Sequence, residues 1–311
     1  MSTTHSGVVI LGIFVADLAF RSGRMPGVGE TILGSGFKMG PGGKGSNQAV
    51  AAVRAGAKVT FLSRLGQDEF GASALAMYTR EGITTRIAQM ADEPTGAAFI
   101  HVNDRNGENA IIVVAGAADK ISIADVEAAA DAIRGAKVFV TQLEQPIAAA
   151  HRGLEIAKRA GVITVFNPAP AATVDDAIYA CCDFVTPNES EAAALTGLPV
   201  RSVDEARQAG DALLKKGSGA ALITLGEAGA LLHDRKQSVL VPAFYAGPVV
   251  ETAGAGDAFN GGFAAALAHG ETPLAATRFA CAVAAISVTR AGTAPSMPSL
   301  AEVQALLARS S

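Results

Sequence analysis

The sequence is poor in cysteine and in charged residues, and each shortage excludes a class of protein. Its three cysteines, Cys181, Cys182 and Cys281, lack the paired spacing of a disulfide framework or a zinc site, so reduced thiols are expected. Only 17% of the residues are charged and the formal net charge is -4, which provides no basic surface for nucleic acid or an anionic membrane. A small-molecule partner is therefore the expectation.

Long hydrophobic segments are also missing. Every apolar stretch is broken by glycine or a charged residue before it reaches the roughly 20 residues that a membrane span needs. The polar residues 1–6 and the short apolar run at 8–11 do not form a secretory signal. With 311 residues, half of them hydrophobic, the chain can bury a large core. These features predict a soluble, cytoplasmic, globular protein.

Short β-branched apolar runs alternate with alanine-rich helical patterns along most of the chain. This alternation is typical of a largely parallel sheet flanked by helices, so the predicted fold class is α/β, in a single domain over residues 1–311. Strands are predicted at 8–11, 59–62, 138–141, 162–166, 184–186 and 221–224. Helices are predicted at 45–55, 69–81, 123–133, 147–160 and 204–216.

Two segments interrupt this alternation, at about residues 13–39 and 95–115. The first is rich in glycine and proline, and the second has two β-like runs on either side of a polar turn at 103–107. Since neither segment could bury a core alone, we place them together as a small antiparallel β lid over the carboxyl edge of the main sheet, where open α/β sheets bind ligands. Two unrelated surface hairpins are the alternative that periodicity leaves open.

A glycine-rich turn at residues 251–262 carries the clearest chemical signal. It lets the backbone N–H groups of Gly254, Ala255 and Gly256 converge, and the positive end of the following helix adds to the attraction for a phosphoryl group. Asp257 follows at once and supplies a proton acceptor within one turn of those amides. Phosphoryl transfer needs this pair of features, which predicts Asp257 as the catalytic base. A helix N-cap is the alternative role for this aspartate.

A second glycine-rich stretch, at residues 40–49, also leads into a helix. The G-x-x-x-x-G-K-[ST] spacing of a P-loop is absent because Gly45 follows Lys44, and this disfavours a Walker-type NTPase. Two interpretations remain. Lys44 is solvated beside a simple glycine turn, or the backbone approaches a polar ligand that Asn47 binds by a hydrogen bond.

Together the two stretches resemble the paired signatures of the ribokinase (PfkB) family of carbohydrate kinases, and nearly the whole chain fits. Three further motifs occur in the family's order, at residues 186–191, 222–229 and 289–296. The resemblance implies a ribokinase-like fold and transfer of the γ-phosphoryl group of ATP to a sugar hydroxyl. Residues 43–49, 142–144 and 167–171 favour D-ribose as the sugar, with D-ribose 5-phosphate as the product.

The resemblance also implies roles for individual residues. The sugar contacts would be Val15, Asp17, Gly43, Lys44, Asn47 and Glu144, together with Asp257. The nucleotide contacts would be Asn188, Thr224, Gly226, Gly229, Gly256 and Cys281, and Glu191 would act indirectly on Mg²⁺. A monovalent cation, usually K⁺, would lie beside Glu251, Ala253, Ser287, Arg290, Gly292 and Ser296.

The residues alone leave plainer roles open for three of these positions. Asp17 would be a turn residue, Glu144 a charge at a helix start and Cys281 a core thiol. Two other positions depart from the family's pattern. Glu251 stands where ribokinases usually have Asp, which bears on cation selectivity, and Val15 stands where they usually have Asn, which removes a polar group from the sugar pocket.

Three other functions stay open from the sequence. One is a kinase of the same family that acts on another sugar or a nucleoside. Another is a non-catalytic sugar sensor, which the retained residues 254–257 disfavour. The third is an NAD-dependent enzyme, which lacks support because residues 12–15 do not supply G-x-G-x-x-G after the first strand. A homodimer through the lid is implied by the family, and the exposed edges of a small sheet give it a physical motive.

Overall fold

The computed structural model describes residues His5–Arg309 and arranges them in two sheets with helices around the larger one. Residues 1–4 of the polar N-terminal segment and residues 310–311 lie outside the described residues. The strands in chain order are β1 (Val8–Leu11), β2 (Val15–Ser22), β3 (Gly36–Gly42), β4 (Val59–Gly66), β5 (Thr84–Met90), β6 (Thr95–Asn103), β7 (Asn109–Gly116), β8 (Val138–Thr141), β9 (Ile163–Phe166), β10 (Phe184–Val185), β11 (Ala220–Thr224), β12 (Ala230–Asp234) and β13 (Ser238–Val241).

The helices surround the main sheet. In chain order they are α1 (Lys44–Arg54), α2 (Glu69–Glu81), α3 (Ile123–Ala128), α4 (Ala130–Gly135), α5 (Ile147–Arg159), α6 (Ala177–Ala180), α7 (Glu189–Thr196), α8 (Val203–Lys215), α9 (Ala255–Ala268), α10 (Pro273–Ser287) and α11 (Leu300–Arg309). Within His5–Arg309 no helix has the length and apolar character that crossing a bilayer requires.

The main sheet has nine strands in the order β13-β12-β11-β10-β9-β8-β1-β4-β5. Its seven strands from β11 to β5 run parallel, and β12 and β13 add an antiparallel edge. Strands β1 and β8 are buried at every position and apolar except at Thr141, as expected where helices cover both faces of a parallel sheet. The predicted largely parallel α/β fold is therefore confirmed.

Two apolar clusters lie on the two faces of this sheet. Alternate residues of β1 enter different clusters, Val8 and Ile10 one of them and Val9 and Leu11 the other. Helices α1, α2, α9, α10 and α11 supply the first cluster, and helices from α3 to α8 supply the second. The sheet is thus the middle of three layers, which leaves its carboxyl edge as an open end.

The small sheet has the strand order β3-β2-β6-β7 and contains the two segments that interrupt the αβ alternation. Its outer pairs, β2 with β3 and β6 with β7, are antiparallel as predicted, and its central pair, β2 with β6, is parallel. The two segments therefore form one sheet rather than two unrelated hairpins.

Some element boundaries differ from the prediction. The helix predicted at 123–133 is interrupted at Ala129, whose φ of -103° and ψ of 11° separate α3 from α4. Strands β5, β12 and β13 were not predicted. Strand β5 carries mostly polar residues and is only partly buried at the edge of the sheet, so it lacks the apolar signal of the inner strands.

Candidate active site

The candidate site lies at the carboxyl edge of the main sheet. Strands β8, β9 and β10 end there, and a polar residue follows each at once: Gln142, Asn167 and Thr186. Because the carboxyl ends of parallel strands meet at one edge, these side chains lie close together beneath the first turns of α1 and α9.

Asp257 is buried in the first turn of α9. Gly254 is the N-cap, with a φ of 79°, and no side chain caps this helix, so Asp257 does not have the N-cap role left open above. Its carboxylate accepts hydrogen bonds from Asn47 Nδ2 at 3.0 Å and from Gln48 Nε2 at 3.2 Å. The Ala255 N–H donates to the Thr252 carbonyl at 3.2 Å, and the other N–H groups at this helix start have no side-chain cap and can bind an anion.

Close packing of α1 against α9 makes these contacts possible. A Cβ at Gly261 would lie 2.5 Å from both the Gln48 carbonyl oxygen and Ala51 Cβ, so only glycine permits this approach. The helices bring residues 47 and 257 together although 210 positions separate them in the chain. Asn47 Oδ1 is buried without a hydrogen-bond partner and can still accept one from a ligand hydroxyl.

Burial raises the pKa of Asp257, because its charged form loses contact with water. The positive charge of Lys44 and the hydrogen bonds from Asn47 and Gln48 act in the opposite direction and favour the carboxylate. The side chain is therefore a proton acceptor held in a dry environment by three nearby groups. A general base needs such a controlled pKa.

Asp17 and Val15 lie on one face of β2, since residues two apart in a strand point to the same side. The Asp17 carboxylate covers Gly42 on the neighbouring strand, where any side chain would collide with it. Desolvation and the negative charges of Asp257 and Glu251 raise the pKa of Asp17 to about 6. Asp17 is thus a strand residue that faces the site, and the plainer role of a turn residue does not apply.

Glu144 and Lys44 meet at the start of α1. The backbone N–H of Lys44 donates to Glu144 Oε2 at 2.7 Å. Helix α5 begins only at Ile147, so Glu144 is not a charge inside its first turn. Burial raises the pKa of Glu144 to about 7, against the lowering effect of that backbone hydrogen bond and of the Lys44 charge.

Lys44 is the positive group among these acids. Burial lowers its pKa, but the charges of Asp257, Glu144 and Glu191 outweigh that effect, so the pKa is raised overall. The ammonium group therefore stays protonated beside three carboxyl groups. This arrangement can bind several hydroxyls of a polar ligand by charge-assisted hydrogen bonds.

The predicted nucleotide positions lie at the ends of neighbouring strands. Asn188 forms an isolated bridge with Thr224 and caps α7 by accepting from the Glu191 backbone N–H at 2.8 Å. Glu191 in turn accepts from the Asn188 N–H at 2.9 Å, which completes a capping box. Burial raises the pKa of Glu191, and Lys44 opposes this rise.

Of the other predicted nucleotide positions, two are glycines in a tight turn and one is a buried cysteine. Gly226 and Gly229 have φ of 51° and 106°, and a side chain at Gly229 would collide with the Val241 carbonyl. Cys281 is buried in the apolar cluster beside α9, and burial raises the pKa of its thiol to about 12. Its environment accords with a core thiol, and its contact with a nucleotide stays a prediction.

The predicted cation positions lie in two chain segments, 251–253 and 287–296, beside the Asp257 turn. Glu251 Oε2 accepts from the backbone N–H of Gly292 at 2.7 Å, which joins the two loops. Thr293 packs against Gly254, where an added Cβ would lie 3.2 Å from Thr293 Cα. Ser287 and Ser296 are buried, and their hydroxyls donate to the carbonyls of Ala284 and Thr293 respectively. Ala253 is exposed, and the Arg290 side chain forms an ion pair with Glu302.

Sequence reasoning missed the polar row beneath Asp257. Its centre, Gln48, contacts Gln142 and Asn167, and Asn167 leads on to Thr186 and Asn260. The available signal was positional, because Gln142, Asn167 and Thr186 each follow a buried strand directly.

Comparisons with known proteins agree with this architecture. The sequence pattern of pfkB family carbohydrate kinases matches residues 6–300. The chain is 39% identical over 295 residues to a deoxyribokinase of Salmonella typhi, covering 94% of this chain and 96% of that one. It is 38% identical to a ribokinase of Haemophilus influenzae, with 95% and 96% covered. The structure of Arabidopsis thaliana ribokinase complexed with ribose and ATP superposes with a TM-score of 0.90 at 30% identity, covering 98% of this chain and 99% of that one.

Proposed function

The chain belongs to the pfkB family of carbohydrate kinases and is a sugar kinase, and we propose that it transfers the γ-phosphoryl group of ATP to a hydroxyl of D-ribose, forming D-ribose 5-phosphate. The observation that carries the proposal is the convergence of three polar side chains that can bind hydroxyls, Asp17, Asn47 and Glu144, around the buried carboxylate of Asp257. The Arabidopsis relative was solved with ribose and ATP, which supports these two substrates.

The sugar lies, in this proposal, between β2 of the small sheet and the start of α1. Asp17 and Glu144 accept hydrogen bonds from its hydroxyls, Asn47 Oδ1 accepts another, and Gly43 allows the sugar to approach the backbone. Asp257 accepts the proton of the attacking hydroxyl. Because that carboxylate is fixed by two amide donors, the hydroxyl is oriented for in-line attack without further rearrangement.

The phosphoryl group lies at the uncapped start of α9. Backbone N–H groups at residues 254–256 stabilise its developing negative charge, and the Lys44 ammonium near Asp257 adds positive charge. Gly256 is exposed, and no atom from outside its own helix turn lies within 4 Å of where its Cβ would be, so a phosphate can reach the backbone there. Asn188, Thr224, Gly226 and Gly229 hold the rest of the nucleotide in this proposal.

Magnesium fits the site through Glu191. One carboxylate oxygen caps α7, and the other is left to bind water of the metal ion. When bound with ATP, the ion neutralises charge on the phosphates.

A monovalent cation such as K⁺ fits the joined loops at 251–253 and 287–296, which contact the phosphoryl-binding turn through Thr293 and Gly254. Carbonyl oxygens of Ala253, Ser287, Arg290 and Gly292 would hold it, with Ser296 and Glu251 beside them. In the structure the Glu251 carboxylate already accepts a hydrogen bond from the Gly292 N–H. The longer side chain thus supports the loop, and its direct contact with an ion is not required.

A second candidate substrate is a deoxypentose, and Val15 favours it. Val15 shares the sugar-facing side of β2 with Asp17, is 4% exposed, and belongs to the apolar cluster that contains Leu62 and Ala98. A valine cannot pair with a hydroxyl, so a sugar with hydrogen at that point avoids a buried unpaired group. The Salmonella typhi relative is a deoxyribokinase.

The small sheet is also proposed as a lid and as the contact of a homodimer. One of its faces exposes Phe20, Phe37, Met39 and Ile112, and the other exposes Ile111 and Val113. Apolar surface of this extent on a narrow sheet favours burial against a second copy. Closure of the same sheet over the sugar would exclude water and limit wasteful hydrolysis of ATP.

The experiment that tests the proposed function is a coupled ADP-release assay with Mg²⁺ and ATP across pentoses, hexoses and nucleosides. The proposal expects ribose or 2-deoxyribose to give the highest kcat/KM. A nucleoside or hexose that is used 100-fold better than both would overturn the pentose assignment and leave the family assignment intact.

A further inference from the structure

Gln48 occupies the centre of the row of buried amides beneath Asp257. Its side chain is 0% exposed, and Nε2 donates to Asp257 Oδ1 at 3.2 Å and to Asn167 Oδ1 at 3.0 Å. Its Oε1 accepts from Gln142 Nε2 at 2.6 Å. We propose that Gln48 is a positioning residue that fixes the orientation of the Asp257 carboxylate for proton transfer, and this inference rests on the proposed kinase function.

The direction of the hydrogen bonds supports this role. An ionised carboxylate can only accept, so Gln48 must turn its NH₂ group toward Asp257 and its carbonyl oxygen toward Gln142. Gln142 must then present its own NH₂ group, which leaves Gln142 Oε1 buried without a partner. Rotating the Gln142 amide would place two carbonyl oxygens against each other. The unpaired oxygen is therefore the consequence of an arrangement in which Gln142 donates to Gln48 and Gln48 donates to Asp257.

Glycines make room for that unpaired oxygen. A Cβ at Gly12, directly after β1, would lie 2.5 Å from Gln142 Oε1, and a Cβ at Gly45 in α1 would lie 2.9 Å from it. The strand end and the helix start can therefore enclose the amide only because both positions lack side chains. The row is thus built into the backbone of the site.

The other end of the row returns to α9. Asn167 Nδ2 donates to the Thr186 carbonyl at 2.9 Å, Thr186 Oγ1 donates to Asn260 Oδ1 at 2.6 Å, and Asn260 Nδ2 donates to the Gly256 carbonyl at 2.8 Å. Gly256 belongs to the phosphoryl-binding turn of the proposal. The carboxylate and that turn are consequently held by one set of contacts anchored at the ends of β8, β9 and β10.

Gln48 differs from Asn47, which binds the other carboxylate oxygen. Asn47 keeps an unpaired Oδ1 that the proposed function assigns to the sugar, so it has two tasks. Gln48 has both N–H groups and its carbonyl oxygen bound inside the protein, so its task is complete without substrate. Gln48 therefore orients the base before the sugar binds.

The charges around Asp257 give the inference a measurable consequence. Lys44 on α1 favours the ionised carboxylate, and three acids face the same space: Asp17 from β2, Glu144 after β8 and Glu191 from α7. Loss of the Gln48 hydrogen bond removes a group that favours ionisation. The pKa of Asp257 should then rise, and the acid limb of the kcat profile should move to higher pH.

The test compares Gln48→Met with Gln145→Met. Methionine keeps a similar length and loses the amide. Gln145 is a matched control because it is also buried, and its amide donates to Thr141 Oγ1 and the Gln142 carbonyl, both at 2.7 Å. We expect Gln48→Met to lower kcat ~10- to 100-fold through misplacement of the base, with the KM values for sugar and ATP within ~3-fold. The acid limb should shift in Gln48→Met and stay in Gln145→Met.

A second measurement does not depend on turnover. The Asp257 carboxyl ¹³C resonance, assigned by its loss in Asp257→Asn, is titrated by NMR in each variant, and the midpoint should rise only when the row is broken. If Gln48→Met does not fold, Gln142→Met removes the donor that orients Gln48 and should shift the midpoint in the same direction by less. The inference would be overturned if the row variants Gln48→Met and Gln142→Met gave the same NMR midpoint and the same acid limb as the parent and the control Gln145→Met. A parent protein inactive on every sugar would refute the proposed function alone, because the NMR comparison would still decide the role of Gln48.

Discussion

Replacing Val15 by asparagine tests which pentose the site accepts. Asparagine has nearly the size of valine, and it would add an amide on the face of β2 that also carries Asp17. The position is tight, because Val15 Cγ1 lies 2.9 Å from where a Cβ on Gly96 of the neighbouring strand would be. The new side chain therefore has little freedom to turn away from the proposed sugar.

The expected size of the effect follows from one hydrogen bond. A net gain of ~0.5–1.5 kcal/mol on pairing a ribose hydroxyl, or of ~1–3 kcal/mol if that hydroxyl is buried unpaired in the parent, corresponds to roughly 2- to 150-fold in kcat/KM. Without sugar the amide is buried at a site that is 4% exposed, so the free protein should lose ~1–3 kcal/mol of unfolding free energy. Saturating ribose should restore part of that loss.

The assay measures kcat/KM for ribose and 2-deoxyribose in the parent, in Val15→Asn and in Val15→Ala. The alanine variant loses packing without adding a polar group, so it should lower both values by a similar factor and keep their ratio. Val15→Asn should raise the ratio of ribose to 2-deoxyribose by roughly 2- to 150-fold. A ratio that stays within ~2-fold of the parent would refute the argument that Val15 selects the sugar.

Other expectations concern the base, the acids, the cation and the dimer. Asp257→Asn should fold and bind sugar while losing ~10²- to 10⁴-fold in kcat, and near-normal kcat would remove this residue from the mechanism. Burial raises the pKa of Glu144 to about 7 and of Asp17 to about 6, so the sugar KM should rise as pH falls from 8 to 5.5. Both folded pKa values exceed the unfolded ones, so these groups add stability as pH falls through this window, and calorimetry should show no loss of Tm from them. Potassium should raise the rate above that in a bulky organic cation, and equal rates in potassium, sodium and that cation would show that the loop beside Glu251 holds no required ion. Ile112→Lys should give a monomer by light scattering if the small sheet joins two copies, whereas an unchanged mass would place any dimer contact elsewhere.

The sequence revealed the parts of the fold whose signals are local. The buried strands β1 and β8 are short runs of residues that are apolar except for Thr141, and both were predicted with the observed bounds. Helix α2 was also predicted with its observed bounds, and it begins after an Asp68 cap and ends at Gly82 in the left-handed conformation. The edge strand β5 was not predicted, because its residues do not form a strong apolar face.

The site was only partly visible for a different reason. Asp257 could be found because its glycine turn is contiguous in the chain. The partners of Gln48 lie 94, 119 and 209 residues away from it, and a lone glutamine inside a helix carries no local signal of such contacts. The parallel central pair of the small sheet was missed likewise, since pairing of β2 with β6 joins segments that are far apart in sequence.

The most direct measurement of the central claim is ADP release by the purified protein and by Asp257→Asn, with Mg²⁺, ATP and each sugar of a panel that includes ribose and 2-deoxyribose. The account predicts sugar-dependent ADP release by the parent, greatest with one of these two pentoses, and a loss of ~10²- to 10⁴-fold in the variant at unchanged sugar affinity. Release of ADP that does not depend on any sugar, or that is equal in the parent and the variant, would contradict it.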